Sequence, residues 1–350
     1  MGVMSIPDHT TGQARRRKKQ HSGVTMADVG RLAGVSQVTV SRALSDPSKV
    51  SAETLQKIRD AIDVTGFVPN AIAGALASQR SMLISAFVPS ITNIVYSSFI
   101  QTFNARIRSS GYEVLLSETG FLPEEEEKLV AAHLTRRPDA VLLTGIHHSA
   151  RTRKMLLGAG TPVVEVWDVT DSPIDVCVGF SHSGAGRAAA DFIADQGYRS
   201  AAVVSAGDER AQRRMRAFSD RFAQRTGAAA IQLDFPAPAS LANGRLGLRQ
   251  LLETHAFSDG AIFCSSDLLA HGVIIEARAR GLRVPEDVAV LGFGDQDFAP
   301  HTDPAISTIR VDRQELGRAA ADALLERFAG RRPERDVFDI GFEIVRRASC

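Results

Sequence analysis

From about Leu83 onward, short apolar runs of strand length alternate with amphipathic stretches of helical period, and this alternation constrains the fold more than any other feature of the chain. The candidate strands cover residues 83–88, 113–117, 140–144, 163–167, 201–205, 260–264 and 288–292, and helical patterns at 97–109, 124–136, 183–196, 210–225 and 268–280 separate most of them. A strand followed by a helix and another strand pairs in parallel, because the helix crosses over one face of the sheet. About 270 residues built this way exceed one comfortable sheet, so the expected class is α/β, with two lobes of parallel sheet. Ligands of such folds sit outside the carboxyl ends of the strands, which here places them between the lobes.

Residues 24–69 read differently. Val29, Leu32 and Ala33 share a helical face until Gly34 offers a turn, and Ser36 then caps a second helix. That helix turns Val40, Ala43 and Leu44 inward and Gln37, Val38, Ser41 and Arg42 outward. Asp46-Pro47-Ser48 breaks it, and Ser51 opens a third helix with Leu55, Ile58 and Ile62 facing in. Two helices joined by a tight Gly turn, the second with a polar outer face, have the shape that fills a major groove. Arg donates twice to guanine, Gln pairs with adenine and Val packs on a thymine methyl, so Gln37, Val38 and Arg42 are the candidate base readers. Thr25, Ser36, Thr39, Ser41, Ser51 and Thr54, at or near helix starts, suit phosphate contacts, which set register without reading sequence. At this point a small protein-binding module with an incidental polar face is still an open alternative.

Charge distribution supports the first reading. The 41 Lys and Arg nearly balance 40 Asp and Glu, but residues 1–80 carry 11 against 6 and the remainder 30 against 34. A basic head on a mildly acidic body suggests a polyanion-binding module joined to a domain with another task. Residues 1–23, including Arg15 to Lys19, have little to bury and are expected to form a flexible basic arm. Residues 70–80 contain an Ala-rich stretch too short to be helical alone. No run reaches the roughly 18 apolar residues of a membrane span, and no secretory leader is visible, so a soluble cytoplasmic protein is expected.

The body lacks GxSxG, a Walker lysine loop, HExxH and GxGxxG after a strand, so it is expected to bind and not to catalyse. Cys177, Cys264 and Cys350 form no CxxC pair, and His147-His148 have no ligands at metal spacing nearby; neither cofactor nor metal is expected, and the two histidines read as surface loop residues.

The run from Val24 to Leu44, with Lys49-Val50-Ser51 and Gly66-Phe67-Val68-Pro69-Asn70, closely resembles the head of the LacI/GalR family of bacterial transcription regulators, and the likeness extends over residues 24–350. The resemblance implies a helix-turn-helix domain at 24–69, a hinge helix at 70–80 and, at 81–350, a periplasmic-binding-protein-like core that holds an effector and dimerises. It further implies a homodimeric repressor of double-stranded operator DNA. In the hinge, Leu76 would wedge into the minor groove, Ala73 would admit the partner's helix and Asn70 would meet phosphate.

Effector candidates lie at strand ends. They are Glu165, Trp167 and Asp168, then Arg210 and Arg214 with Arg213 between them, then Ser266-Asp267, then Asp295. The family's sugar-contacting arginine, three residues before a small-aromatic pair, matches Arg214 before Ala217-Phe218. Its Asn-Asp appears here as Ser266-Asp267, and its acidic residue after Gly-Phe is displaced to Asp295, which argues against an ordinary neutral pyranose or a nucleobase. The stretches 121–127, 144–156, 160–168 and 178–180 are similar to repressors of gluconate-utilisation genes. Gluconate is a polyol with a carboxylate, which an Arg-rich helix start would neutralise while Asp168 accepts from hydroxyls. A same-family regulator of another sugar and a carrier-type sugar-binding protein are the alternatives, and each candidate residue also reads as a helix cap or a surface charge.

Overall fold

The computed structural model describes residues 23–69, 80–236, 238–331 and 335–350. The chain divides into two compact units, one up to residue 79 and one from residue 80. The basic arm, except Gly23, and the hinge positions Asn70, Ala73 and Leu76 lie outside the described residues.

Among the described residues the first unit has three helices, α1 (Met26–Ala33), α2 (Gln37–Ser45) and α3 (Ala52–Thr65), with a short 3-10 turn at Pro47–Lys49. Thr25, Ser36 and Ser51 each accept a backbone N–H of the first turn, and Gly34 and Gly66 end α1 and α3 in the left-handed region. Val29, Val40, Ala43, Ile58, Ala61 and Phe67 form the core. Gly30 admits the backbone of the turn, since a Cβ there would stand 2.7 Å from the Val35 carbonyl oxygen. Leu32 and Leu44, expected inward, are exposed, because in so small a unit Val29, Ala33, Val40 and Ala43 already fill the narrow contact stripes.

The second unit begins with β1 (Leu83–Val88), α4 (Ile94–Arg108), β2 (Glu113–Glu118), α5 (Pro123–Leu134), β3 (Ala140–Thr144), α6 (Ala150–Ala159), β4 (Val163–Val166) and β5 (Val176–Gly179). It continues as a second lobe: α7 (His182–Asp195), β6 (Ala201–Ala206), α8 (Glu209–Thr226), β7 (Ile231–Phe235), α9 (Leu241–Thr254), β8 (Ala261–Cys264), α10 (Asp267–Ala279), β9 (Ala289–Phe293) and β10 (Ser307–Arg310). The chain then returns to the first lobe with α11 (Arg313–Phe328) and β11 (Val337–Asp339), and ends in the second as β12 (Glu343–Val345). The sheets run β11-β5-β4-β3-β1-β2 and β12-β10-β9-β8-β6-β7, parallel throughout except for β10 against β12.

The expected α/β class with two parallel-sheet lobes holds, but neither lobe is one continuous stretch of chain. The core of the first lobe joins Phe99 and Phe103 of α4 to Leu316, Ala320 and Leu324 of α11, which arrive from beyond the second lobe. Strands β5, β7, β10, β11 and β12 were not anticipated, the last two being only three residues long. β5 is four residues long, β7 alternates in burial, and β10 carries Ser307 and Thr308, so each gives a weak apolar signal. Among the described residues no helix is long and apolar enough to cross a membrane.

Candidate functional site

A cleft of about 620 Å³ opens between the two lobes of the second unit at the carboxyl ends of their strands. The first lobe contributes Asn93, Tyr96, Glu118, Trp167 and Phe180 to its walls. The second contributes Asp208, Arg210, Arg214, Ser265, Ser266, Phe293 and Gln296.

The cationic wall comes from the start of α8, where Asp208 caps the helix by accepting from the Ala211 N–H at 2.7 Å. Arg210 and Arg214 stand four residues apart, so both look into the cleft. Arg210 Nη2 donates to the Tyr96 hydroxyl across the cleft at 2.7 Å, and burial of that phenol pushes its pKa up. The Arg214 guanidinium lies 3.9 Å from the centre of the Phe293 ring. Its Nη1 donates to His182 Nδ1 at 2.8 Å and its Nη2 to the Ser265 carbonyl at 3.1 Å.

His182 is thereby fixed in one tautomer. Its Nδ1 must accept from a guanidinium, so its Nε2 donates to the Trp167 carbonyl at 2.8 Å. Burial first, and then the charges of Arg214 and Arg210, hold its pKa well below the usual histidine range, which keeps the ring neutral. Burial also lowers Arg214, to about 10, so at neutral pH it remains a cation. Among the described residues no carboxylate pairs with Arg214, and its Nε is buried without a partner. The Trp167 indole Nε1 is likewise buried and unpartnered. Trp167 holds φ at +71°, a left-handed value that a bulky residue rarely adopts, with its ring packed edge-on against Tyr96, Phe99 and Phe180. The cleft therefore carries fixed donor capacity facing an aromatic wall, which suits an oxygen-rich anion.

Of the eight effector candidates, Trp167, Arg210, Arg214 and Ser266 line this cleft, Ser266 also capping α10. The other four lie elsewhere. Glu165 projects from the opposite face of β4, where it accepts the Ile174 N–H at 2.6 Å and stands 3.5 Å from His148. Asp168 is buried and taken by Arg213 and by the Val169 N–H. Asp267 sits beneath the floor, accepting from Thr308 Oγ1 at 2.6 Å and the Gln296 N–H at 2.7 Å, and burial pushes its pKa up to about 6. Asp295, at φ +45°, turns away to Arg310 and Arg347, whose hydrogen bonds and charges outweigh burial and hold its pKa low. All four lie in or just after a strand end, but the pleat and the hydrogen-bonding partners decide which way each side chain points.

His148, expected on a surface loop, is buried between Glu126, at 2.8 Å, and Glu165. Burial alone would lower its pKa, but the hydrogen bonds and charges of the two glutamates outweigh it and raise it to about 9. His147 stays half exposed beside Glu209, at 3.2 Å. The cleft residues that sequence reasoning missed are Asn93, Tyr96, Glu118, Phe180, His182, Asp208, Ser265, Phe293 and Gln296. Phe180 and His182 follow the unanticipated β5, and Asn93, which caps α4 directly after β1, was the readable signal.

In the first unit Gln37, Val38, Ser41 and Arg42 are exposed on the outer face of α2. The Thr39 and Thr54 hydroxyls bond those of Ser36 and Ser51 at 2.9 Å each, so these four share one capping geometry at two helix starts. The three cysteines are buried and form no disulfide, and among the described residues no cluster could hold a metal ion.

Residues 25–70 match the model of bacterial regulatory proteins of the lacI family, and residues 190–350 match a periplasmic binding protein-like domain. The HTH-type transcriptional regulator GntR of Pseudomonas aeruginosa is 38% identical over 93% of this chain and 95% of its own length. GntR of Escherichia coli K12 is 31% identical over 91% and 96%. The crystal structure of a LacI-family transcriptional regulator from Silicibacter pomeroyi superposes with a TM-score of 0.87 at 31% identity, covering 93% of this chain and 99% of that one. The exposed polar face of α2, the two-lobed core and these relatives agree: the chain belongs to the lacI family of bacterial regulatory proteins and is a DNA-binding transcriptional regulator, not an enzyme.

Proposed function

We propose that the cleft takes a sugar acid, gluconate or a close analogue, and that this ligand lowers the affinity of a cytoplasmic homodimer for its operator. The observation that carries the reading is the buried Arg214 cation, which has only neutral partners and a spare N–H, in the same cleft as the unpartnered Trp167 indole. A carboxylate supplies the missing charge, and Asn93, Ser266 and Gln296 along the walls suit the hydroxyls. The name GntR carried by the relatives and the similarity to gluconate-utilisation repressors support the same ligand class. On the DNA side, Gln37, Val38 and Arg42 read bases and Thr25, Ser36, Thr39, Ser41, Ser51 and Thr54 meet phosphates, while Asn70, Ala73 and Leu76 act in the minor groove. Effector and operator oppose each other, and by linkage each weakens the other by the same factor.

The test is a titration of labelled operator at fixed salt with gluconate, glucose or no ligand. Gluconate is expected to weaken binding while glucose leaves it unchanged; no effect of gluconate rejects it as effector. Because the chain has one tryptophan, Trp167, its fluorescence reports cleft occupancy in the same samples.

A further inference from the structure

A second depression, of about 350 Å³, lies between α7 and α8 on a different face of α8 from the cleft. Ser183 and Arg187 of α7 line it, with Arg213, Arg216, Asp220 and Arg221 of α8. On α8, positions 213, 216 and 220 follow helical spacing, so they form one stripe facing α7. Gly186 lets the two helices meet closely, because any Cβ there would collide with the Arg214 carbonyl oxygen. Cations from both helices are thereby held side by side.

Most arginines of this lobe have a carboxylate partner: Arg225 bonds Asp191 and Asp195, Arg280 bonds Glu253 and Glu276, and Arg283 bonds Asp287. In the groove, Arg221 is held by Asp191 at 2.8 Å, and Arg213 by Asp168 and by Glu209 at 3.0 Å. Arg187 and Arg216 differ. Among the described residues neither makes a hydrogen bond or ion pair, although Asp220 lines the same groove. Unpaired guanidinium groups gathered in one concavity repel each other unless an anion joins them, and the planar donor fork of Arg matches phosphate oxygens.

We propose that this groove is a second anion site, built by Arg187, Arg213 and Arg216 for a phosphate dianion, either inorganic phosphate or the phosphoryl group of a monoester. The site also has a route to the cleft. Arg213 ties the second lobe to Asp168 of the first, and an anion that draws Arg213 into the groove weakens that tie between the lobes. The assignment does not depend on which ligand fills the cleft.

The test uses the full chain, titrated by calorimetry at matched ionic strength with inorganic phosphate and, separately, with phenyl phosphate. Saturable binding is expected, weakened at least about tenfold in an Arg187→Ala/Arg216→Ala double variant, the loss of about one charge-assisted hydrogen bond. Tighter binding of one probe identifies whether free phosphate or a monoester is the natural source. Both substituted residues are exposed, so folding is retained, as circular dichroism would check. Absence of saturable binding by either probe overturns the proposal. So does equal affinity in the double variant, or a phosphate signal that moves Trp167 fluorescence with the groove arginines removed, which would place the anion in the cleft.

Discussion

The molecule has two candidate recognition surfaces built on opposite terms. On α2, Gln37, Val38, Ser41 and Arg42 project from consecutive turns of one helix, exposed and, among the described residues, without a side-chain hydrogen bond or ion pair to orient them. In the cleft, Arg210 and Arg214 are buried, stacked and hydrogen-bonded to residues as distant in sequence as Tyr96, His182 and Ser265. Under the proposed function, the first surface would keep its long side chains hydrated until a partner of large area and high charge supplies the ordering energy. The second would hold a small ligand with few contacts, and its donors are already oriented by their neighbours. The lesson is that substitutions in the cleft should cost more per residue than those on the reading helix, and should be felt through neighbours.

The sharpest way to break that contrast is Arg214→Ala. Removing a buried guanidinium with fixed partners should weaken effector binding by about 3 to 4 kcal/mol, more than a hundredfold, with operator affinity in the absence of ligand unchanged. Tryptophan fluorescence and operator titration measure the two effects. A loss as small as that of a reading-helix residue would show that the cleft is not preorganised.

A second difference is titratable. Residues 23–69 contain no histidine, whereas the core buries His148 between Glu126 and Glu165. Because its folded pKa of about 9 lies above the ordinary 6.5, the stabilisation it brings is complete below pH 6.5 and is lost as pH rises through about 9. Core unfolding followed in urea should thus lose on the order of 2 to 3 kcal/mol across that window, and His148→Gln should flatten the slope. An unchanged slope in the variant would assign the pH dependence to another group.

Gly186→Ala tests how closely the cleft's support is packed. Its added methyl group meets the Arg214 backbone, so a destabilisation of about 2 to 3 kcal/mol is expected in thermal unfolding, together with weaker effector binding. On the reading helix, Arg42→Ala should relax discrimination at one base pair by about 2 kcal/mol without altering the cleft. Equal weakening on all sequences would reassign Arg42 to phosphate. The smallest effect is expected of Ser36→Ala, which removes the cap of α2 and should cost about 1 kcal/mol of stability in the first unit, read by its own melting transition.

How much was legible from the chain follows the same divide. The first unit was readable almost to the residue, including the Ser36 and Ser51 caps and the Gly34 turn, because its signals are local: caps, a turn glycine and 3.6-residue periodicity. Only the depth of Leu32 and Leu44 escaped, since burial depends on how much neighbouring surface a small unit can offer. In the core, long apolar strands such as β1 and β3 were plain, while β5, β7 and β10 were masked by their short or polar runs.

Amino-acid order by itself determined the α/β class, the helix-turn-helix head and the placement of Arg210 and Arg214 on one helical face, because each follows from spacing along a regular element. Tertiary structure decided the rest. It alone turned Glu165, Asp168, Asp267 and Asp295 away from the cleft and brought in Tyr96 and His182. A side chain's direction at a strand end is set by the charges and rings it meets, and those come from segments far apart in the chain.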